Sequence, residues 1–282
     1  LGRGFMGDLN KLVFWIALPA FLFRSTAHAE QPGPETFSLL ALLLTATVII
    51  AAAGWFASRF LRLPLSCGTL SQSAFRGNLA YIGIPVLTYR FDSLPEKPAL
   101  FATAVITMAA LMVAYNILAV IVLSGGARSD KTWRAAFRSI FTNPLLLACL
   151  FGVPLALTAT RLPLFLDRAL EALGGAAVPI ALLCIGGSLA HIRLGARLPA
   201  IATAALLKTL VLPLAVYCLS PVFGITGNEL RVALVFSACP TAAASFVMVR
   251  QMNGDESLAS GSIVLSTIFA LASIPLALLL PC

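Results

Sequence analysis

Nine apolar stretches, each near the length that crosses a bilayer, leave this chain little choice of backbone. They are lettered here A (9–29), B (36–60), C (70–92), D (98–123), E (141–158), F (164–190), G (198–221), H (228–252) and I (255–280). A spanning helix needs about 20 such residues. In hydrocarbon every N–H and C=O must find a partner within the protein, and a helix supplies those partners itself. Only 11% of the 282 residues are charged and 60% are hydrophobic, far from the ~25% charge of a soluble domain. The expected fold is therefore an all-α polytopic membrane protein forming a single transmembrane domain over 1–282.

Two of the stretches carry a proline deep inside. Segment C reads Asn78-Leu79-Ala80-Tyr81-Ile82-Gly83-Ile84-Pro85, and segment H reads Ser237-Ala238-Cys239-Pro240-Thr241-Ala242. Proline removes a helix hydrogen bond and clashes with the preceding turn. Interrupted spans at corresponding places in two halves of a chain point to a transporter binding site. Breaks are expected at Ile84-Pro85 and Cys239-Pro240, near mid-membrane.

The joints give orientation. Arg3, Lys11, Arg59, Arg62, Arg128, Lys131, Arg134, Arg138, Arg193, Arg197 and Arg250 fall on one side. Arg90, Lys97, Arg161 and Arg168 fall on the other. The richer side is the cytoplasmic one. Segment A then starts inside, the C-terminus ends outside, and the chain belongs in the inner (plasma) membrane as a multi-pass protein.

Segments A and F share Ala-x-Pro-x-x-Leu, at Ala17-Leu18-Pro19 and Ala177-Val178-Pro179. A–B–C–D matches F–G–H–I, so Pro19 and Pro179 mark equivalent helix breaks in a scaffold. Segment E, opening at Asn143-Pro144, has no partner, which leads to the expectation of a further helix ahead of A. The inference is two five-helix repeats of inverted topology. The first spans 1–123, lacking its first helix, and the second spans 141–282.

If the second half-helices begin at the two prolines, each presents free N–H groups and partial positive charge. That suits an anion, particularly a carboxylate. The expected substrate contacts are Asn78, Gly83, Ile84, Pro85, Cys239, Pro240, Thr241 and Ser245. The polar ones could instead repair the broken backbones. Gly77 and Gly83 let backbones approach closely. Lys208, inside segment G, either holds the substrate's charge, caps a helix end at a break, or snorkels to the interface. Arg24 and Arg76 read as interfacial. No Asp or Glu is expected in the interior of a span, those within the lettered bounds lying at most eight residues from an end, as Glu171 does in F; this removes the usual proton relay and suits an anionic substrate.

At these residues the chain resembles the auxin efflux carrier family, which includes plant carriers and bacterial carboxylate transporters. The seven-residue gap of Asn78 to Pro85, the stretch Pro240 through Phe246-Val247-Met248-Val249-Arg250-Gln251 to Ile274-Pro275, Leu12-Val13-Phe14 through Pro19, Asn143-Pro144 and Pro179 carry the resemblance. It implies ten helices with C and H crossing at the substrate. It implies a dimerising scaffold of A, E, F and the further helix, and a mobile domain of B, C, D, G, H and I moving as an elevator. Substrates would be small organic anions such as malonate, malate or indole acetate. The short D–E connection, 124–140, favours a bacterial carboxylate carrier. Sodium-coupled relatives place sodium near their crossover; here Ser71, Gln72 and Ser73 are the corresponding polar cluster.

Other classes fit less well. Two distant histidines, His28 and His191, and six scattered cysteines give no metal or catalytic cluster. An enzyme is not expected, nor a cofactor. The net charge of +8 is spread singly between apolar runs, which excludes nucleic-acid binding. The expected partners are a small organic anion, the lipid bilayer and a second copy in a homodimer. The alternatives are an anion channel or sensor on a transporter fold, or a sodium-coupled symporter of a larger organic anion.

Overall fold

The apolar segments form helices, as hydrocarbon requires of them. The computed structural model describes residues 3–28, 35–63, 66–124, 142–158, 160–177, 179–180, 183 and 197–281. The D–E connection and segment F beyond residue 183 lie outside the described residues. Segment A is α1, a continuous helix over 3–27, and B is α2, Glu35–Phe60. Segment C divides into α3, Cys67–Phe75, and α4, residues 79–90. D is α5, Lys97–Leu123; E is α6, Pro144–Leu157; F opens with α7, Leu164–Gly175. G is α8, residues 198–219, ending in a tighter turn, Ser220–Phe223. H divides into α9, Gly227–Ala238, and α10, Ala244–Gln251, and I is α11, Glu256–Leu279. Glu35–Phe60, Pro98–Leu123, Leu198–Phe223 and Glu256–Leu279 are long and apolar enough to cross a membrane.

Two prolines expected to break a helix, Pro19 and Pro85, do not, and Pro213 shows the same local structure. Pro19, Pro85 and Pro213 each follow a five-residue π-helical turn, respectively Val13–Ala17, Leu79–Gly83 and Leu207–Val211. In each, the N–H just before the proline reaches back five residues: Leu18 to Val13, Ile84 to Leu79, Leu212 to Leu207. The widened turn absorbs both the missing donor and the ring, so the helix continues. The break expected at Ile84-Pro85 is therefore absent; segment C is interrupted earlier, at Arg76–Asn78. Pro19 likewise breaks nothing. In segment F, α7 ends at Gly175 and the backbone is helical again at Pro179. Pro154 and Pro275 sit in helices without a π turn, so proline permits that turn rather than dictating it.

The helices pack in two groups. α1 lies against α6 and α7; α2, α3, α8, α9 and α11 pack on one another, and α5 touches both groups. Backbones approach closely at small residues, the usual device where lipid offers no hydrophobic drive between helices. Arg24 of α1 ties α1 to α7 through Asp167, Nε to Oδ1 at 2.8 Å, with His28 on the same carboxylate. Asp255, ahead of α11, is held by Arg197 and Ser66 and donates its N–H to Thr69 Oγ1 at 3.1 Å. That cluster joins the starts of α3, α8 and α11.

Gly68 decides how near α3 comes to α5. A Cβ there would stand 2.4 Å from Val122 O and 2.8 Å from Leu123 Cα, backbone that cannot yield alone. Gly68→Ala is expected to lower stability by about 1–3 kcal/mol, read as a fall in melting temperature in detergent. Gly175→Ala, with nothing within 4 Å, is the control expected to leave it unchanged.

Candidate functional site: the crossing of two interrupted helices

The two interruptions repair each other. α3 ends at Phe75, and the chain turns extended at Arg76 and passes through Gly77 and Asn78 before α4. α9 ends at Ala238; Cys239 turns extended, at φ −54° and ψ 141°, ahead of Pro240, as the residue before a proline tends to. Gly77 and Thr241 then pair as a single antiparallel bridge. Asn78 N–H donates to Pro240 O at 2.8 Å, and Ala242 N–H donates to Arg76 O at 2.9 Å. Backbone groups freed from helices, which water would satisfy elsewhere, are satisfied across the crossing.

Side chains cap the remaining ends. Thr241 Oγ1 donates to Ser73 O, at the end of α3, at 2.7 Å, and Thr241 N–H donates to Ser266 Oγ at 3.0 Å. Ser273 Oγ donates to Ala238 O at 3.3 Å. Lys208 is fully buried and its Nζ donates to Ser237 O at 2.5 Å. Of its three sequence readings, the cap at a broken helix matches this geometry and snorkelling does not.

The predicted site residues fall in different places. Pro240, Thr241 and Asn78 form the crossing itself. Asn78 is half-buried, and its carboxamide makes no hydrogen bond among the described residues. Gly83, Ile84 and Pro85 are buried in α4 past the crossing. A Cβ on Gly83 would stand 2.9 Å from Phe236 Cδ1 and 3.2 Å from Cys239 Sγ. That glycine and buried Cys239 therefore serve the close packing of α4 on α9. Ser245 is fully buried in the first turn of α10, and its hydroxyl has no partner among the described residues. Ser71 Oγ donates to Ala51 O at 2.7 Å, whereas Gln72 and Ser73 are buried with unpartnered side chains. Among the described residues no cluster of His, Cys, Asp or Glu could hold a metal.

Arg76 is the residue sequence reasoning misplaced. It is not interfacial: it is buried at the crossing, with Nη2 on Asn116 Oδ1 at 2.6 Å and Nη1 on Met248 Sδ at 3.3 Å. The signal available was its place two residues before Asn78. A separate apolar cavity of about 190 Å³, lined by Thr26, Val105, Ala109, Cys149 and Val153 among others, lies between α1, α5 and α6. It offers almost no polar group to an anion.

A chain of this build, apolar helices around a buried crossing of two broken ones, is a membrane transporter. It belongs to the Membrane transport protein family, the auxin efflux carriers, whose family model matches residues 6–278. It is 27% identical to an uncharacterized transporter of Methanothermobacter thermautotrophicus, over 98% of this chain and 89% of that protein. It is 27% identical to a Rhizobium meliloti protein named "Putative malonate transporter", over 95% of this chain and 85% of that one. It is 24% identical to an uncharacterized transporter of Methanocaldococcus jannaschii, over 95% and 87%. Family and relatives alike indicate transport rather than catalysis.

Thr241→Val keeps shape but strips the hydroxyl from Ser73 O. Leaving that buried carbonyl without its donor costs about 1–3 kcal/mol. A lowered melting temperature with unchanged helix content by circular dichroism is expected.

Proposed function

We propose that this chain carries small organic anions, carboxylates such as malonate or malate, across the inner membrane by alternating access at the crossing of segments C and H. One observation carries this reading: the interruptions meet in a buried bridge beside two buried cations, Arg76 and Lys208, with no carboxylate in ion-pair range of either among the described residues. Asn78, whose carboxamide is unused, donates to the substrate carboxylate, and the amide end of α10 adds partial positive charge. The name of the Rhizobium meliloti relative agrees with an acid of this kind.

The separate packing of α1, α6 and α7 supports an elevator, in which that group stays fixed, dimerises, and the crossing moves with the rest. The matching interruptions of C and H support two inverted repeats over 1–123 and 141–282. The Lys and Arg count supports an external C-terminus. A second reading, sodium coupling, rests on Gln72 and Ser73, whose side-chain oxygens are buried without partners among the described residues. A malonate uptake rate independent of sodium discards it.

Uptake of labelled malonate into proteoliposomes tests the main reading. Saturation and acceleration by internal malonate are expected of a carrier; flux without either marks a channel. Asn78→Ala is expected to weaken apparent malonate affinity about ten- to a hundredfold, the worth of a hydrogen bond to a charged group, at unchanged melting temperature. Wild-type affinity in the folded variant removes Asn78 from the site.

A further inference from the structure

The guanidinium of Arg76 has a defined position and an unanswered charge. Its backbone is fixed by the crossing, since its carbonyl accepts the Ala242 N–H. Its side chain is held by Asn116 Oδ1, a neutral acceptor, and by Met248 Sδ, a weak one. Among the described residues no Asp or Glu forms an ion pair with it. An arginine buried in the membrane is costly until paired, and its planar fork matches a carboxylate.

Its location relates it to the anion-binding end of α10. Met248, which Arg76 touches, stands four residues after Ala244 and on the same helix face. Ala244, in the first turn, is exposed. Met248 and Ala244 lie about one turn apart, roughly 6 Å along the axis, which brings Arg76 near the first turn of α10, where the Ser245 and Phe246 N–H groups donate to Ala242 O and Ala243 O and the chain is exposed at Ala243 and Ala244. Ser245 in that turn keeps a buried, unpartnered hydroxyl.

We propose that Arg76 takes the second carboxylate of a short dicarboxylate whose first carboxylate rests on the start of α10 with Ser245, so that Arg76 sets a preference for dianions over monoanions. This rests on the carboxylate-transport reading above. A dianion answers the Arg76 charge while its other carboxylate rests on α10; a monoanion on α10 leaves Arg76 unanswered. Asn116 is then a positioning residue, holding the fork toward the substrate. The weak sulfur contact is the one a carboxylate displaces.

The test compares uptake of malonate with that of propionate, a monocarboxylate of the same carbon count, into proteoliposomes holding the full chain at neutral pH. The wild type is expected to favour malonate. Arg76→Gln is expected to cut malonate uptake at least about tenfold while propionate falls far less, and Arg76→Lys to recover part of the preference through charge without the fork. Should Arg76→Gln not fold, Asn116→Ala decides: the guanidinium remains but is loosened, and a raised malonate KM with near-normal maximal rate is expected. An unchanged malonate-to-propionate ratio in the folded variant overturns the role of Arg76 and leaves carboxylate transport standing. A wild type that moves neither acid overturns both.

Discussion

Everything at the centre of this protein follows from the cost of a bare amide or carbonyl in hydrocarbon. Two helices stop in mid-span, and the groups they release are taken up by each other. Asn78 N–H pairs with Pro240 O, and Ala242 N–H with Arg76 O. Thr241, Ser273 and Lys208 then close the carbonyls of Ser73, Ala238 and Ser237. The crossing is a repair before it is a site. The repair uses neither the Asn78 carboxamide nor the Ser245 hydroxyl, and it leaves the Arg76 fork on neutral partners, Asn116 and Met248.

Buried positive charge gives this remainder its direction. A lysine that caps a helix end and an arginine held by an amide and a thioether are both costly without counter-charge. In the function proposed here, an anion at the crossing would relieve that cost, so affinity and charge balance would share one cause. The apolar cavity between α1, α5 and α6 has no such pull on a carboxylate; it lies where the two helix groups meet.

Much was legible from the order of residues. Apolar length gave the helices, and the family resemblance carried by Asn78–Pro85 and Pro240–Gln251 is matched by the family model over 6–278. The second interruption was readable because Cys239-Pro240 does end a helix. The first was misplaced by seven residues, from Asn78 to Pro85, for a definite reason. A π turn lets Ile84 stay helical, at φ −61° and ψ −47°, directly before proline. Nothing local separates Pro85 from Pro240. Arg76 was misread for a related reason: hydropathy sets a residue's distance from a span's end, not what packs over it.

The sequence by itself determined the environment, the helices and the class of protein, because those depend on apolar length and on residues a few places apart. Only the tertiary structure decided where segment C breaks and which polar groups are left unpaired. Those outcomes depend on partners more than a hundred residues away, Thr241 against Gly77 and Met248 against Arg76. A local motif can announce that a helix is strained. Whether it yields depends on whether another strand of backbone is there to take up the freed hydrogen bonds.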